Sequence, residues 1–216
     1  MSSHLMNYCE FTLLRHGQPE QADCLLGRTN PPLTAKGWQQ MQLSSTGLTF
    51  DLIISSPLSR CHAYARHLAQ QHNSQLIVDS DWQELDFGDW DGQAINSLWE
   101  DQHGYGEYWQ APFDHTPPNG ETTTALLQRL TSSIGRLSRE YAGQRILIVS
   151  HSGVMRMLLA WLLNSTQQGN PHLSRVQLEH AAVLQFNTYI DEANTLWPQL
   201  QGLSNPSVSL HSQVDN

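Results

Sequence analysis

Short apolar runs of strand length alternate along the chain with segments whose apolar residues recur at helical period. This alternation predicts an α/β fold, a three-layer sandwich in which a mostly parallel central sheet carries helices on both faces. The first strand is expected over Glu10 to Arg15, through Phe11, Leu13 and Leu14, and it stops abruptly in Arg15-His16-Gly17. Polar, turn-rich sequence continues to Leu33. Thr34 then caps a helix reaching about Leu43, and Asp51 to Ser55 reads as a second buried strand. Directly after it, Ser56 can cap, and Pro57 can take the first helical position, of a helix ending near Gln71. Leu76 to Val78 is a third strand. A region bearing Trp and Tyr from Trp82 to Phe113 reads as a loop-and-helix insertion, closed by Pro117-Pro118-Asn119-Gly120. Beyond it a helix is expected from Glu121 to about Tyr141, a fourth strand over Arg145 to Ser150, a helix from Gly153 to about Leu163, and a last strand over Ala182 to Phe186. Residues 1–204 are thus read as one domain with an aromatic insertion at about 90–118, and residues 205–216 as a loose polar tail.

Composition narrows the function. A chain of 216 residues with 39% hydrophobic residues fits one compact unit, at most two. Its 11 basic residues against 20 acidic ones leave a net charge of −9, but only 14% of residues are charged and no block of like charge occurs. An acidic disordered chain and a basic nucleic-acid binder are both excluded on that basis. The longest apolar stretch, Met157 to Leu163, falls far short of the roughly 20 residues a membrane span needs, so no membrane partner is expected. The polar opening Met1 to Asn7 lacks a leader pattern, which makes a cytoplasmic location the expectation. Cys9, Cys24 and Cys61 are odd in number and show no C-x-x-C spacing, against a disulfide frame or zinc knuckle.

Ligands of parallel α/β sheets bind outside the carboxyl ends of the strands. There the sequence gathers an unusual set: Arg15 and His16 after the first strand, Arg60 one turn into the helix after the second, Glu84 after the third, and His151 after the fourth. Any one of these is a common structural residue. Their recurrence at successive strand ends is what points to a site. The segments Leu14-Arg15-His16-Gly17, Ser55-Ser56-Pro57-Leu58-Ser59-Arg60, Glu84-Leu85-Asp86-Phe87-Gly88-Asp89-Trp90-Asp91-Gly92 and Val149-Ser150-His151-Ser152-Gly153 resemble the histidine phosphatase superfamily, with its phosphoglycerate mutase-like fold, over about Phe11 to Phe186. Within it, Gly27-Arg28-Thr29-Asn30, Pro32-Leu33-Thr34 and the Glu84–Trp90 run are most similar to α-ribazole phosphatases of cobalamin nucleotide-loop assembly. Broad-specificity phosphatases carry close variants.

A phosphomonoester is a dianion, and guanidinium forks match its oxygens, which suits Arg15 and Arg60. The resemblance implies that neutral His16 attacks phosphorus and becomes a phosphohistidine. His151 would donate to the phosphoryl oxygens, helped by the backbone N–H of Ser152 at a helix start. Glu84 would protonate the departing alkoxide and then, as carboxylate, activate water. The net charge does not oppose this, because charges beyond about 8 Å are screened while the arginines act at contact. The chain departs from the family pattern in having Pro19 and Ala22 where many members have Thr and a phosphate-binding Asn, and Tyr64 where Thr is common. Arg28 is the candidate replacement donor.

No cofactor is implied, and the expected partners are a small phosphomonoester and inorganic phosphate. Asp86, Asp89 and Asp91 could suggest Mg²⁺ or Ca²⁺, but Trp90 and Gly92 break a ligand loop, so no metal is expected. Asp86-Phe87-Gly88 mimics a kinase signature without the other kinase motifs. His151-Ser152-Gly153 lacks the leading Gly of a hydrolase nucleophile elbow. Trp90, Trp99, Tyr105, Tyr108 and Trp109 cluster beside Glu84, and Tyr108 with Trp109 could form a lid that stacks on a benzimidazole-like base. The alternative is that these rings simply pack the insertion. Sugar phosphatase and phosphoglycerate mutase activities stay open as alternatives within the superfamily.

Overall fold

The computed structural model describes residues 8–100, 104–166 and 175–206. Six strands form one sheet: β1 (Tyr8–Arg15), β2 (Leu52–Ser55), β3 (Gln75–Val78), β4 (Arg145–Ser150), β5 (Val183–Ile190) and β6 (Leu196–Ser204), in the order β3-β2-β4-β1-β5-β6. The pairs β2–β3, β2–β4 and β1–β4 are parallel, whereas β5 runs antiparallel to β1 and β6 to β5. Helices α1 (Ala35–Ser45), α2 (Ser59–His72), α3 (Ile95–Glu100), α4 (Tyr105–Gln110), α5 (Thr123–Glu140) and α6 (Ser152–Leu162) complete the chain order.

Side chains alternate across the sheet and feed two cores. Phe11, Leu13, Ile54, Ile146, Ile148 and Phe186 face α5 and α6, and Phe11 stacks on Phe186 at 4.9 Å. Leu14, Ile53, Leu147 and Val149 face Met41 of α1 and Cys61, Tyr64 and Leu68 of α2. Because both faces are covered, β4 reads as an unbroken apolar run, which is why it was visible in the sequence to the residue.

Several boundaries differ from expectation: β1 opens two residues early, at Tyr8, and β5 starts at Val183 and continues past Phe186 to Ile190. The strand β6 replaces what read as featureless sequence before the tail; Pro198 and Gly202 and its mostly exposed side chains hide it, and Pro is tolerated because this is an edge strand. Ser56 and Pro57 do not start α2. The helix begins at Ser59 with Leu58 as its cap, and the Ser56 hydroxyl instead accepts from Leu58 N–H at 3.3 Å in the preceding turn. The cap of α5 is Thr122, whose hydroxyl accepts from Ala125 N–H, so that helix starts after Glu121. The expected tail opens with Asn205 tied to Glu179 N–H at 2.8 Å and to the Gln177 carbonyl at 3.1 Å. Its remainder from 207 onward, like the opening residues 1–7, lies outside the described residues.

Candidate active site

The order β2-β4-β1 brings the carboxyl ends of three parallel strands side by side, and a cavity of about 440 Å³ opens above them. Arg15, His16, Glu84, Ser152, Arg156 and His180 supply its polar wall, and Phe87, Trp99, Tyr105, Trp109 and Met157 much of its apolar one.

His16 emerges from β1 with its backbone N–H on the Ser150 carbonyl at 2.9 Å, which locks the first motif to the end of β4. Helix α1 presses against the next residue so closely that a Cβ at Gly17 would lie 2.0 Å from the Gly37 carbonyl oxygen. His16 is buried, and its Nδ1 lies 2.8 Å from the Gly17 carbonyl. A carbonyl only accepts, so Nδ1 carries the proton. Burial first, then the charges of Arg15 and Arg60, hold the ring far below its ordinary pKa. A neutral ring with its proton on Nδ1 leaves a lone pair on Nε2, as a nucleophile requires.

His151 is the opposite tautomer. Its Nδ1 accepts from Arg60 Nε–H at 3.3 Å, so its proton sits on Nε2, which donates to the Ser56 hydroxyl at 2.8 Å. Burial and the neighbouring Arg60 hold it neutral as well.

Burial pushes Arg15 down to about 10, which leaves it charged at neutral pH. One terminal nitrogen donates to the Leu178 carbonyl, while its Nε is buried with no hydrogen-bond partner among the described residues. A buried, unsatisfied guanidinium N–H in a cavity wall is a site that calls for an acceptor. Arg60 is fully buried and placed differently from the phosphate fork expected of it. Its Nη2 donates to the Leu26 and Gly27 carbonyls and its Nη1 to the Thr29 carbonyl. With Nε on His151, its contribution to an anion in this geometry is charge rather than a free fork.

Glu84 is nearly fully buried, and both its oxygens are engaged: Leu85 N–H donates to Oε1 at 3.0 Å and Gly153 N–H to Oε2 at 2.9 Å. The Glu84 side chain therefore caps the first turn of α6. Its own carbonyl is held by Arg129 Nη2 at 3.1 Å, and Arg129 is in turn gripped by Glu121 at 2.8 Å.

Other expected residues are not brought in. Arg28 pairs with Asp86 at 3.7 Å and, among the described residues, is not part of the cavity wall, so it does not replace the missing donor. Tyr108 is buried with its hydroxyl on Thr123 at 3.2 Å and packs the insertion instead of forming a lid, whereas Trp109 does line the cavity. Pro19 and Ala22 line it as apolar groups. The aspartate run is used internally: Asp86 accepts from Gly88 N–H, Asp89 from Asn119, and Asp91 from three backbone N–H groups. Among the described residues no cluster of three or more His, Cys, Asp or Glu is arranged to hold a metal ion, and no helix is long and apolar enough to cross a membrane.

Arg156 and His180 were missed. Arg156 stands four residues after Ser152, on the same face of α6. His180 just precedes β5, and because β5 is antiparallel to β1 its start lies at the edge where the parallel strands end. Its ring centre is 5.8 Å from that of His16, and burial pushes its pKa down to about 4.

Residues 11–196 match the family model described as the histidine phosphatase superfamily, branch 1. The chain is 32% identical over 190 residues to a bifunctional protein of Mycobacterium tuberculosis, an alignment covering 85% of this chain and 51% of that protein. It therefore spans about half the length of that relative. It is 33% identical over 166 residues to the adenosylcobalamin/alpha-ribazole phosphatase of Escherichia coli K12, covering 74% of this chain and 82% of that one. The solved structure named mycobacterial hydrolase 2 shares the fold at a TM-score of 0.83 and 22% identity, over 95% and 94% of the two chains. With the motif histidines meeting at one sheet edge and the family model matching most of its length, the chain belongs to the histidine phosphatase superfamily.

Proposed function

We propose that this chain hydrolyses phosphomonoesters through a phosphohistidine on His16. The observation that carries the reading is the pairing of a neutral His16, its Nε2 lone pair uncommitted to a proton, with the unsatisfied buried Nε–H of Arg15 in the same cavity. In the first step Nε2 forms a bond to phosphorus as the ester P–O bond breaks, and Glu84 passes a proton to the leaving oxygen. Arg15 and the Ser152 backbone N–H receive the phosphoryl oxygens, with the Arg60 charge behind them, while the His151 Nε2–H is held by the Ser56 hydroxyl in this geometry. Water then attacks phosphorus while Glu84 takes its proton, which returns inorganic phosphate and neutral His16.

For the alcohol, we propose α-ribazole 5′-phosphate. The apolar wall of Phe87, Trp99, Tyr105 and Trp109 suits a flat heterocycle better than a polyhydroxylated sugar, and the Escherichia coli relative bears that activity in its name. Quenching in alkaline detergent during turnover of a ³²P-labelled phosphomonoester should trap a base-stable, acid-labile phosphoprotein that is lost in His16→Ala. A panel of α-ribazole phosphate, phosphoglycerates and sugar phosphates should rank α-ribazole phosphate first by kcat/KM. Absence of the phosphoprotein overturns the mechanism, and a phosphoglycerate or sugar phosphate at the top overturns the substrate.

A further inference from the structure

We infer that Asp91, a residue outside the cavity wall, is a positioning residue that sets the tautomer of His151 through the Leu26–Thr29 loop and Arg60. Its Oδ1 accepts from Gly27 N–H at 2.8 Å, and its Oδ2 from Arg28 N–H at 2.8 Å and Thr29 N–H at 2.7 Å. The carbonyls of the same loop point at the opposite partner: Leu26 and Gly27 to Arg60 Nη2 at 3.0 and 2.9 Å, and Thr29 to Nη1 at 2.8 Å.

Two of these peptide groups are shared end to end. The unit joining Leu26 to Gly27 gives its C=O to Arg60 and its N–H to Asp91, and the unit joining Gly27 to Arg28 does the same. Carboxylate and guanidinium are therefore linked by aligned peptide dipoles, each bond polarising the next in a buried setting. Both terminal nitrogens of Arg60 are fixed in this way, and because guanidinium is planar, the direction of Nε–H is fixed with them. That N–H meets His151 Nδ1. The alternative tautomer would set N–H against N–H in a fully buried place, a costly arrangement, whereas the Ser56 hydroxyl, which can donate as well as accept, serves either form; the contact with Arg60 is therefore what decides. Asp91 acts on His151 only through this chain, since its carboxylate is committed to the loop.

The tautomer claim stands independently of the proposed reaction, and only its kinetic consequence rests on that reading. The test is ¹⁵N–¹H long-range correlation on the intact ¹⁵N-histidine-labelled protein at neutral pH, with His151 assigned by its loss in His151→Gln. The native protein should show His151 protonated on Nε2. Asp91→Asn replaces one acceptor oxygen by a donor and should give a mixture of both tautomers, with kcat for p-nitrophenyl phosphate lowered about 10- to 100-fold. Asp91→Ser gives the same comparison should Asn prevent folding. A native His151 protonated on Nδ1 overturns the inference without any variant, and so does a folded Asp91 variant whose His151 tautomer is unchanged. If the tautomer responds but the native protein turns over no phosphomonoester, the positioning role holds and the phosphatase reading fails.

Discussion

His16 and His151 meet edge to face, their ring centres 5.3 Å apart and their planes inclined at 62°, in opposite tautomers. The Gly17 carbonyl takes the proton side of His16, and the Arg60 Nε–H takes the lone-pair side of His151. One imidazole is thereby left with a lone pair at Nε2, and the other with its N–H there. Both are neutral for the same reasons, burial and adjacent guanidinium charge. The division of labour comes from which backbone or side-chain group each Nδ1 meets.

Among the described residues Glu84 is the one carboxylate in the cavity wall, and a leaving group tests its role. Glu84→Gln should lower kcat/KM for an alkyl phosphate about 10²- to 10⁴-fold, the usual contribution of a general acid. The loss for p-nitrophenyl phosphate should be much smaller, because nitrophenolate departs without a proton. Since kcat/KM reports the step in which the alcohol leaves, the later need for a base does not obscure the comparison. Equal losses for the two substrates would remove Glu84 from the acid role.

Gly153 is required by that carboxylate. A Cβ there would lie 2.3 Å from Glu84 Oε1 and 2.9 Å from its Cδ. The carboxylate is the end of a flexible side chain, so it would move and the fold would survive. Gly153→Ala should therefore retain its circular dichroism spectrum while kcat/KM for an alkyl phosphate falls about 10²-fold, the scale of a small misplacement at a reacting centre. Native kinetics in a folded Gly153→Ala protein would show that the observed carboxylate position is not the working one.

The strand-end residues were legible because parallel strands deliver their carboxyl ends to one edge, so Arg15, His16, Glu84 and His151 could be placed together from the order of elements alone. What Arg60 does could not be read, since its acceptors are carbonyls of a loop whose N–H groups are held by Asp91, sixty-odd residues further on. Ser56 and Pro57 carry a helix-start signature, yet the Ser56 hydroxyl is needed by His151 and the helix starts later. His180 was invisible for want of one fact, that β5 runs antiparallel and returns its start to the site. Strand β6 breaks the alternation rule with Pro198 and Gly202 and exists because β5 offers it an edge to pair with.

The buried histidines make stability depend on pH. His16, His151 and His180 are held neutral in the folded protein, His180 with a pKa of about 4 against an ordinary 6.5. Below about 6.5 the unfolded chain binds protons that the folded one does not, so stability falls with pH, and for His180 the fall continues to about 4. The Tm should drop between about pH 7 and pH 5 at fixed ionic strength. His180→Asn removes one of these groups and should shrink the drop while leaving His16 and His151 in place. A pH dependence identical to the native one in His180→Asn would show that His180 titrates in the folded protein as it does in the unfolded chain.

Trp109 decides whether the aromatic wall reads the substrate. It packs against Phe87, Tyr105 and Tyr108, with ring centres 6.2, 6.1 and 5.2 Å away, and also borders the cavity. Tyr108 faces inward and belongs to the packing, so the two rings expected to act together are separated by the structure into a support and a surface. If Trp109 stacks on the base of α-ribazole 5′-phosphate, Trp109→Ala forfeits that stacking, worth about 0.5–1.5 kcal/mol for an aromatic pair. The KM for that substrate should then rise about 2- to 10-fold, while KM and kcat for p-nitrophenyl phosphate stay near native. Should both substrates lose activity alike, Trp109 only supports the insertion, and selectivity would have to come from Arg156 or His180 on the polar wall.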